Sequence, residues 1–166
     1  MSGRYKTSRN QRPGVLPYHT MDIESIAALP IASLAAEAAH LWLWTTNQYL
    51  AAGLDLMSRW GFTYLAPITW VKPSGIGNYF AHRTQTLLFG YRSKSRFPLA
   101  RYRPTVLFAP AIRHSEKPEA SYELIESISP GPRLELFARR QRDGWDAWGD
   151  EAPNSLPLRA LRALCG

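Results

Sequence analysis

Hydrophobic residues recur along the chain in two patterns: short continuous apolar runs, and stretches in which apolar residues stand three or four positions apart. Continuous runs are typical of strands covered on both faces, and the wider spacing is typical of helices with one face against a core. The predicted strands are residues 41–44, 62–71, 84–91, 105–108, 133–137 and 145–148. The predicted helices are residues 22–29, 33–39, 47–60 and 118–129. Because helices and strands alternate, the order predicts an α/β fold with a parallel or mostly parallel sheet.

Capping residues mark the ends of several predicted helices. Asp22 can accept a hydrogen bond from the first turn of its helix, and Asn47 can cap the helix that follows the first strand. Pro30 and Gly61 are natural helix stops, because proline cannot continue a helix and glycine readily adopts the left-handed conformation of a C-terminal cap. Residues 1–20 show no hydrophobic periodicity and are expected to form a loop.

Several chemistry-bearing residues fall at the carboxyl ends of predicted strands. Trp44 ends the first strand, Trp70 and Lys72 lie at the end of the second, and Arg139 follows the strand at residues 133–137. In open α/β sheets, ligands bind in the crevice outside these strand ends. The sequence therefore predicts a ligand site that draws on these residues.

Positive charge is concentrated in long segments without acidic residues. The formal net charge is +7, and the sixty residues from 56 to 115 contain no Asp or Glu. Nine cations lie in that segment: Arg59, Lys72, Arg83, Arg92, Lys94, Arg96, Arg101, Arg103 and Arg113. Aromatic residues are interleaved with these charges, among them Tyr79, Phe80 and Tyr102. This pattern favours a polyanionic partner, because each phosphate that is neutralised releases counterions.

Composition excludes several classes of protein. The one cysteine, Cys165, allows neither an internal disulfide nor a thiolate metal site, and we expect no metal. No apolar run reaches the ~20 residues of a membrane span, and the polar, basic N-terminus does not read as a signal peptide. No glycine-rich phosphate loop of either common type is present. A cytoplasmic location is the simplest expectation.

Six stretches, taken together and in order, resemble the MT-A70 family of adenine N6-methyltransferases. They are Leu16–Met21, Trp42–Thr45 with Ile68–Lys72, Arg113–Pro118, Leu136–Arg139 and Gly149–Glu151. The resemblance implies a Rossmann-like S-adenosylmethionine-dependent methyltransferase fold with a permuted motif order, in which target-side motifs precede cofactor-side motifs. It places the methyltransferase domain at residues 1–151, and leaves residues 152–166 as a C-terminal tail.

The resemblance assigns four residues to the target adenine. Tyr18 would lie beside the base, Trp44 and Trp70 would form the walls of its pocket, and Lys72 would stand at the mouth. Aromatic side chains suit this role because an extruded base needs an apolar, stackable surface. The residues alone also allow a simpler interpretation, in which strand tryptophans belong to the core.

The resemblance assigns five residues to S-adenosylmethionine. Lys117 would pair with the carboxylate of the cofactor, since an ammonium at a helix N-terminus is a natural anion site. Phe137 and Arg139, with Asp150 and Glu151, would hold the ribose and the methionine end. Family members commonly have Asn where this chain has Asp150, so an acceptor is retained and an amide donor is lost.

Residues of the basic segment are expected to bind nucleic acid. The candidates are Arg83, Arg92, Lys94, Arg96, Arg101 and Arg103. Arg140 and Arg142 are expected to contact solvent or phosphate. DNA is the expected target rather than RNA, on the resemblance to short bacterial and phage-type members.

The catalytic motif of the family, Asp-Pro-Pro-Trp, does not occur in these 166 residues. In the family it ends a central strand, and its acceptors orient the adenine amine for attack on the sulfonium methyl. The favoured hypothesis is an enzyme whose given chain is truncated upstream. One alternative is an inactive nucleic-acid-binding subunit, either partnered or as a homo-oligomer. The others are an RNA adenosine methyltransferase and an unrelated nucleotide-binding α/β protein.

Overall fold

The structure is a computed structural model that describes residues 20–93, 102–111, 116–149 and 152. The helices are α1 (Ile23–Ala27), α2 (Ile31–Leu34), α3 (Leu50–Arg59) and α4 (Glu119–Ile128), with a 3-10 turn at Asn47–Tyr49 before α3. The strands are β1 (Ala39–Thr45), β2 (Thr63–Val71), β3 (Thr84–Arg92), β4 (Val106–Phe108), β5 (Arg133–Leu136) and β6 (Trp145–Trp148). Helices and strands are mixed along the chain, so the predicted α/β class is confirmed.

Two of the predicted helices differ from the structure. The segment at residues 33–39 is not helical beyond Leu34, because Ala35 is extended and Ala39 opens β1 by pairing with Arg92. Sheet pairing thus overrides the helix propensity of an alanine-rich stretch. Asn47 begins the 3-10 turn rather than capping α3, and its side chain donates to Thr84 Oγ1 at 3.4 Å. The predicted cap at the first helix is confirmed.

β1, β3, β2 and β4 form one sheet in that order, which we call the central sheet. β3 runs antiparallel to both β1 and β2, and β2 pairs with β4 in parallel. The expectation of a mostly parallel sheet is therefore wrong for β3. The reason is the connection: residues 73–83 form a loop without a helix, which returns the chain beside β2, whereas a parallel neighbour needs a longer crossover.

β5 and β6 pair in parallel and form a second, small sheet. Helix α4 joins this sheet to the central one, because its Ile125 and Ile128 share a hydrophobic cluster with Leu87 of β3 and Trp145 of β6. Among the described residues, β1 and β5 each pair with a single strand. Leu136 of β5 also packs against a hydrophobic cluster that includes Leu88 of β3, so the small sheet contacts the central sheet at more than one place.

A second cluster covers the other part of the central sheet. Met57 of α3 and Leu88 of β3 are completely buried there. Gly90 permits this packing, because a Cβ at that position would collide with Met57 Cε and would lie 2.8 Å from the Thr63 carbonyl oxygen. In the described part of the chain, no helix is long and apolar enough to cross a membrane.

Candidate functional site

The carboxyl ends of β1 and β2 bring two of the predicted tryptophans together. The rings of Trp44 and Trp70 meet edge to face, with their centroids 5.8 Å apart. Trp70 is only 2% exposed, and its Nε1 donates to the Ala109 carbonyl at 2.8 Å. Trp44 is half-buried and retains accessible surface. A ligand at this edge of the sheet would therefore contact Trp44, while Trp70 lies behind it and supports it.

Lys117 extends from the segment before α4 to the same place. Its Nζ lies 4.9 Å from the centroid of the Trp44 ring and donates to Gln85 Oε1 at 2.8 Å. The pKa of Lys117 is lowered to about 8. Burial is the larger cause, and the nearby ammonium of Lys72 is the smaller one. Gln85 is neutral and cannot offset the positive charge. Lys117 is therefore an ammonium group whose surroundings supply little negative charge.

Lys72 completes the group at the end of β2. Its Nζ lies 5.7 Å from the centroid of the Trp70 ring. We call Trp44, Trp70, Lys72, Gln85 and Lys117 the aromatic–lysine cluster. It combines two ammonium groups with an accessible indole, which suits a ligand that carries both an anionic group and a flat ring. Sequence reasoning did not identify Gln85, which pairs with Trp70 in the strand register and so faces the same side of the sheet.

Phe137 and Arg139 lie at the carboxyl end of the small sheet. Phe137 has a φ of 60° and is 48% exposed, and its ring meets that of Trp148 edge to face at 5.7 Å. The Ala138 amide donates to the Trp148 carbonyl at 2.9 Å. Gly149 lies directly against the Phe137–Ala138 backbone, which leaves no room for a Cβ. The turn that presents the exposed Arg139 is thus tightly held.

Ion pairs connect this turn to the start of α4. Arg142 contacts Glu119 Oε1 through Nη2 at 2.6 Å, and its Nε donates to Glu126 Oε1 at 3.0 Å. Arg140 contacts Glu119 Oε2 at 3.3 Å. The expectation that Arg140 and Arg142 contact solvent or phosphate is wrong for Arg142, because its side chain is only 20% exposed and two carboxylates already occupy it. These contacts hold the two segments that carry Lys117 and Arg139 together.

Two of the predicted nucleic-acid-binding residues that the structure describes, Arg83 and Arg92, lie at opposite ends of β3. Arg83 lies at the amino end of β3, where its Nε donates to the Lys72 carbonyl at 2.9 Å. Arg92 lies at the opposite end of the strand, where its Nη1 donates to the Ala32 carbonyl at 2.7 Å. Arg103 is exposed. Of the described candidates, only Arg83 is thus shown by these contacts to lie beside the aromatic–lysine cluster.

Several predicted site residues lie outside the described part of the chain. They are Tyr18, Lys94, Arg96, Arg101, Asp150 and Glu151. Within the described ranges, no group of His, Cys, Asp and Glu side chains could hold a metal ion.

Comparison with known proteins matches nearly the whole chain to one family. The sequence model of the MT-A70 family matches residues 4–151. The chain is 32% identical over 142 residues to the type II methyltransferase M.MunI from Mycoplasma, covering 83% of this chain and 61% of that protein. It is 30% identical to the N(6)-adenine-specific methyltransferase METTL4 of mouse, covering 81% of this chain and 33% of that protein.

A third relative acts as a subunit. The chain is 28% identical to the human N(6)-adenosine-methyltransferase catalytic subunit METTL3, covering 75% of this chain and 23% of that protein. The chain thus spans about three fifths of the bacterial relative, and a third or less of these two mammalian ones.

Proposed function

Because this chain belongs to the MT-A70 family, we propose that it forms the target-side and cofactor-side part of an S-adenosylmethionine-dependent adenine N6-methyltransferase acting on nucleic acid. The observation that carries the proposal is the position of the Lys117 ammonium above the Trp44 ring. Lys117 is expected to bind the cofactor, and Trp44 is expected to bind the target base. They are 73 positions apart in sequence, yet they meet in one crevice.

The residues of the crevice fit the chemistry of the cofactor. Lys117 supplies an ammonium to the methionine carboxylate, and its hydrogen bond to the neutral Gln85 leaves its charge available to an anion. Phe137 and Arg139 present a fixed turn toward the remainder of the cofactor, with Asp150 and Glu151 as proposed acceptors for the ribose hydroxyls. When bound, S-adenosylmethionine supplies an electrophilic methyl group on its sulfonium.

The target adenine is assigned to the accessible face of Trp44. A base extruded from its stack gains about 1–3 kcal/mol from an aromatic ring. Trp70 holds that ring from behind, Lys72 stands at the mouth of the crevice, and Tyr18 is proposed to cover the base. We propose residues 1–151 as the domain that performs this binding, residues 152–166 as a tail, and a cytoplasmic location.

Methyl transfer needs groups that accept the hydrogens of the adenine amine, because its lone pair is otherwise conjugated with the ring. In this family the Asp-Pro-Pro-Trp motif supplies them, and these 166 residues do not contain it. We propose that turnover requires a segment with that motif. A second candidate function is an inactive subunit that binds nucleic acid with a marked salt dependence, which the net charge of +7 favours.

DNA is proposed as the target in preference to RNA. The bacterial relative is the one of which this chain covers the largest share among the three described above. The METTL4 relative is named for adenine and the METTL3 relative for adenosine, so the names of the relatives do not all point to one polymer. The substrate assay below therefore includes both polymers.

The decisive experiment measures methyl transfer from labelled S-adenosylmethionine to adenine-containing DNA and RNA, with N6-methyladenine detected by mass spectrometry. The chain alone and the chain joined to an upstream segment carrying Asp-Pro-Pro-Trp are compared, with a control in which the motif aspartate is alanine. We expect product from the extended chain only. If the extended chain gives no product but binds nucleic acid, the subunit function is correct and the enzyme function is wrong.

A further inference from the structure

The loop at residues 73–83, between β2 and β3, presents large hydrophobic side chains to solvent. We call it the aromatic loop. Tyr79 is 95% exposed, Phe80 is 79% exposed and Ile76 is 90% exposed. Side chains of this size usually bury most of their apolar surface, and leaving one in water forgoes about 1.5–3 kcal/mol. Three of them on one short loop mark an interaction surface.

The aromatic loop is closed and packed against itself. The Lys72 amide donates to the Arg83 carbonyl at 2.8 Å, and the His82 amide donates to the Ile76 carbonyl at 3.2 Å. Gly75 allows the two sides to approach, because a Cβ there would lie 2.6 Å from the His82 carbonyl carbon and oxygen. The backbone that carries the two rings is therefore held in place, and binding a ligand needs little further ordering of the loop backbone.

The aromatic loop stands at the edge of the proposed active site. It begins directly after Lys72 and ends directly before Thr84 and Gln85, so the aromatic–lysine cluster contributes residues at both of its ends. Arg83 at its base donates to the Lys72 carbonyl. A polymer that contacted Lys72 and Gln85 would therefore lie next to both ends of this loop.

The charge around the loop selects the kind of partner. Lys72 and Arg83 flank it, and the sixty residues from 56 to 115 contain no acidic side chain. A polyanion is therefore attracted to a surface that also carries two exposed aromatic rings. Cations beside stacking rings are the combination that binds unpaired nucleotides, because phosphates meet the charges while bases stack on the rings.

We propose that Tyr79 and Phe80 stack on unpaired bases flanking the target adenine, and so hold the strand open around it. This rests on the proposed function, because it assumes that the polymer at the site is a nucleic acid. The rings contribute affinity for bases, whereas Lys72 and Arg83 contribute affinity for phosphates. The two contributions respond differently to the loss of bases and to salt, which makes them separable.

The test is fluorescence anisotropy with two labelled single-stranded DNA probes of roughly 12 nucleotides, within the site sizes of single-strand binders. One probe contains adenine and the other is an abasic strand of equal length and charge. We expect the wild-type chain to prefer the base-containing probe by at least about fivefold, the lower end of one base stack. Tyr79→Ala combined with Phe80→Ala should abolish this preference without changing the salt slope.

Three controls accompany the double variant. Ile76→Ala, equally exposed on the same loop but without a ring, should keep the preference, and Tyr79→Phe should keep it as well. Arg83→Ala should lower the affinity for both probes equally and reduce the slope of log affinity against log salt concentration. All these side chains are exposed, so their replacement should leave the fold intact.

Each other outcome overturns the proposal. If the double variant retains the preference, or if the wild type binds both probes equally, the rings do not stack on bases although the chain binds nucleic acid. If the rings instead mediate self-association, sedimentation will detect it in the wild type and not in the double variant. Failure of the wild type to bind either probe rejects the nucleic-acid function itself.

Discussion

The depressed pKa of Lys117 leads to a quantitative prediction for cofactor binding. With a pKa of about 8, the ammonium is about nine-tenths protonated at pH 7 and about one-tenth protonated at pH 9. A carboxylate ligand binds the protonated form, so the contribution of Lys117 is complete well below pH 8 and is lost as the pH rises through that value. Between these two pH values the affinity should fall about tenfold, which is about 1.4 kcal/mol.

The assay is titration calorimetry with S-adenosylmethionine at several pH values at constant ionic strength. The amino group of the ligand also titrates in this pH range. The informative quantity is therefore the difference in the pH dependence of affinity between the wild type and Lys117→Arg. Arginine remains charged throughout, and the variant should therefore lose the part of the pH dependence that belongs to lysine. Equal pH profiles for the two proteins would refute the assignment of Lys117 to the cofactor carboxylate.

Three further predictions concern stability, measured by chemical denaturation. Ser129→Ala should cost about 1–3 kcal/mol, because the buried Ser129 hydroxyl is hydrogen-bonded to His40 Nδ1 and Trp42 Nε1, each at 2.8 Å. Ser127→Ala, at an exposed position, should cost little. Arg142→Met should cost about 2 kcal/mol, because it removes the contacts of one guanidinium to two carboxylates, and Arg140→Met, at a 56% exposed side chain, less than about 1 kcal/mol. Gly149→Ala should destabilise by more than about 1 kcal/mol, since its Cβ would lie 2.6 Å from a backbone amide nitrogen. Equal costs within either matched pair, or a neutral Gly149→Ala, would contradict these assignments.

The strands at residues 41–44 and 84–91 were predictable because each contains a continuous apolar run. The run at residues 41–44 lies within β1, and the run at 84–91 lies within β3. Strand direction was not predictable in the same way. It depends on whether a connection can cross over the sheet, and the loop at residues 73–83 gave no hydrophobic pattern from which its compact path could be derived.

The site was only partly predictable from residue types. Trp44 and Lys72 were identifiable as residues at strand ends, but the meeting of Lys117 with Trp44 depends on how α4 docks across the sheet. The burial of Trp70 also depends on packing, since a strand tryptophan can face either a crevice or the core.

The ion pairs of Arg142 illustrate a signal that could have been used. Glu119 and Glu126 are seven residues apart, so they lie on one face of α4 and can receive one arginine from the following loop. Reading each arginine by itself suggested solvent or phosphate. Considering Arg142 together with the acidic face of the preceding helix would have predicted an internal ion pair.

The central claim is that Lys117 and Arg139, on two segments joined by ion pairs, hold one molecule of S-adenosylmethionine. Calorimetry of the cofactor with the wild type, Lys117→Ala and Arg139→Ala tests it most directly, with Ile76→Ala as a control at an exposed apolar side chain that is not assigned to the cofactor. The account predicts one binding site in the wild type and in the control, and at least about tenfold weaker binding in each of the other two variants. Unchanged affinity in both Lys117→Ala and Arg139→Ala would contradict it.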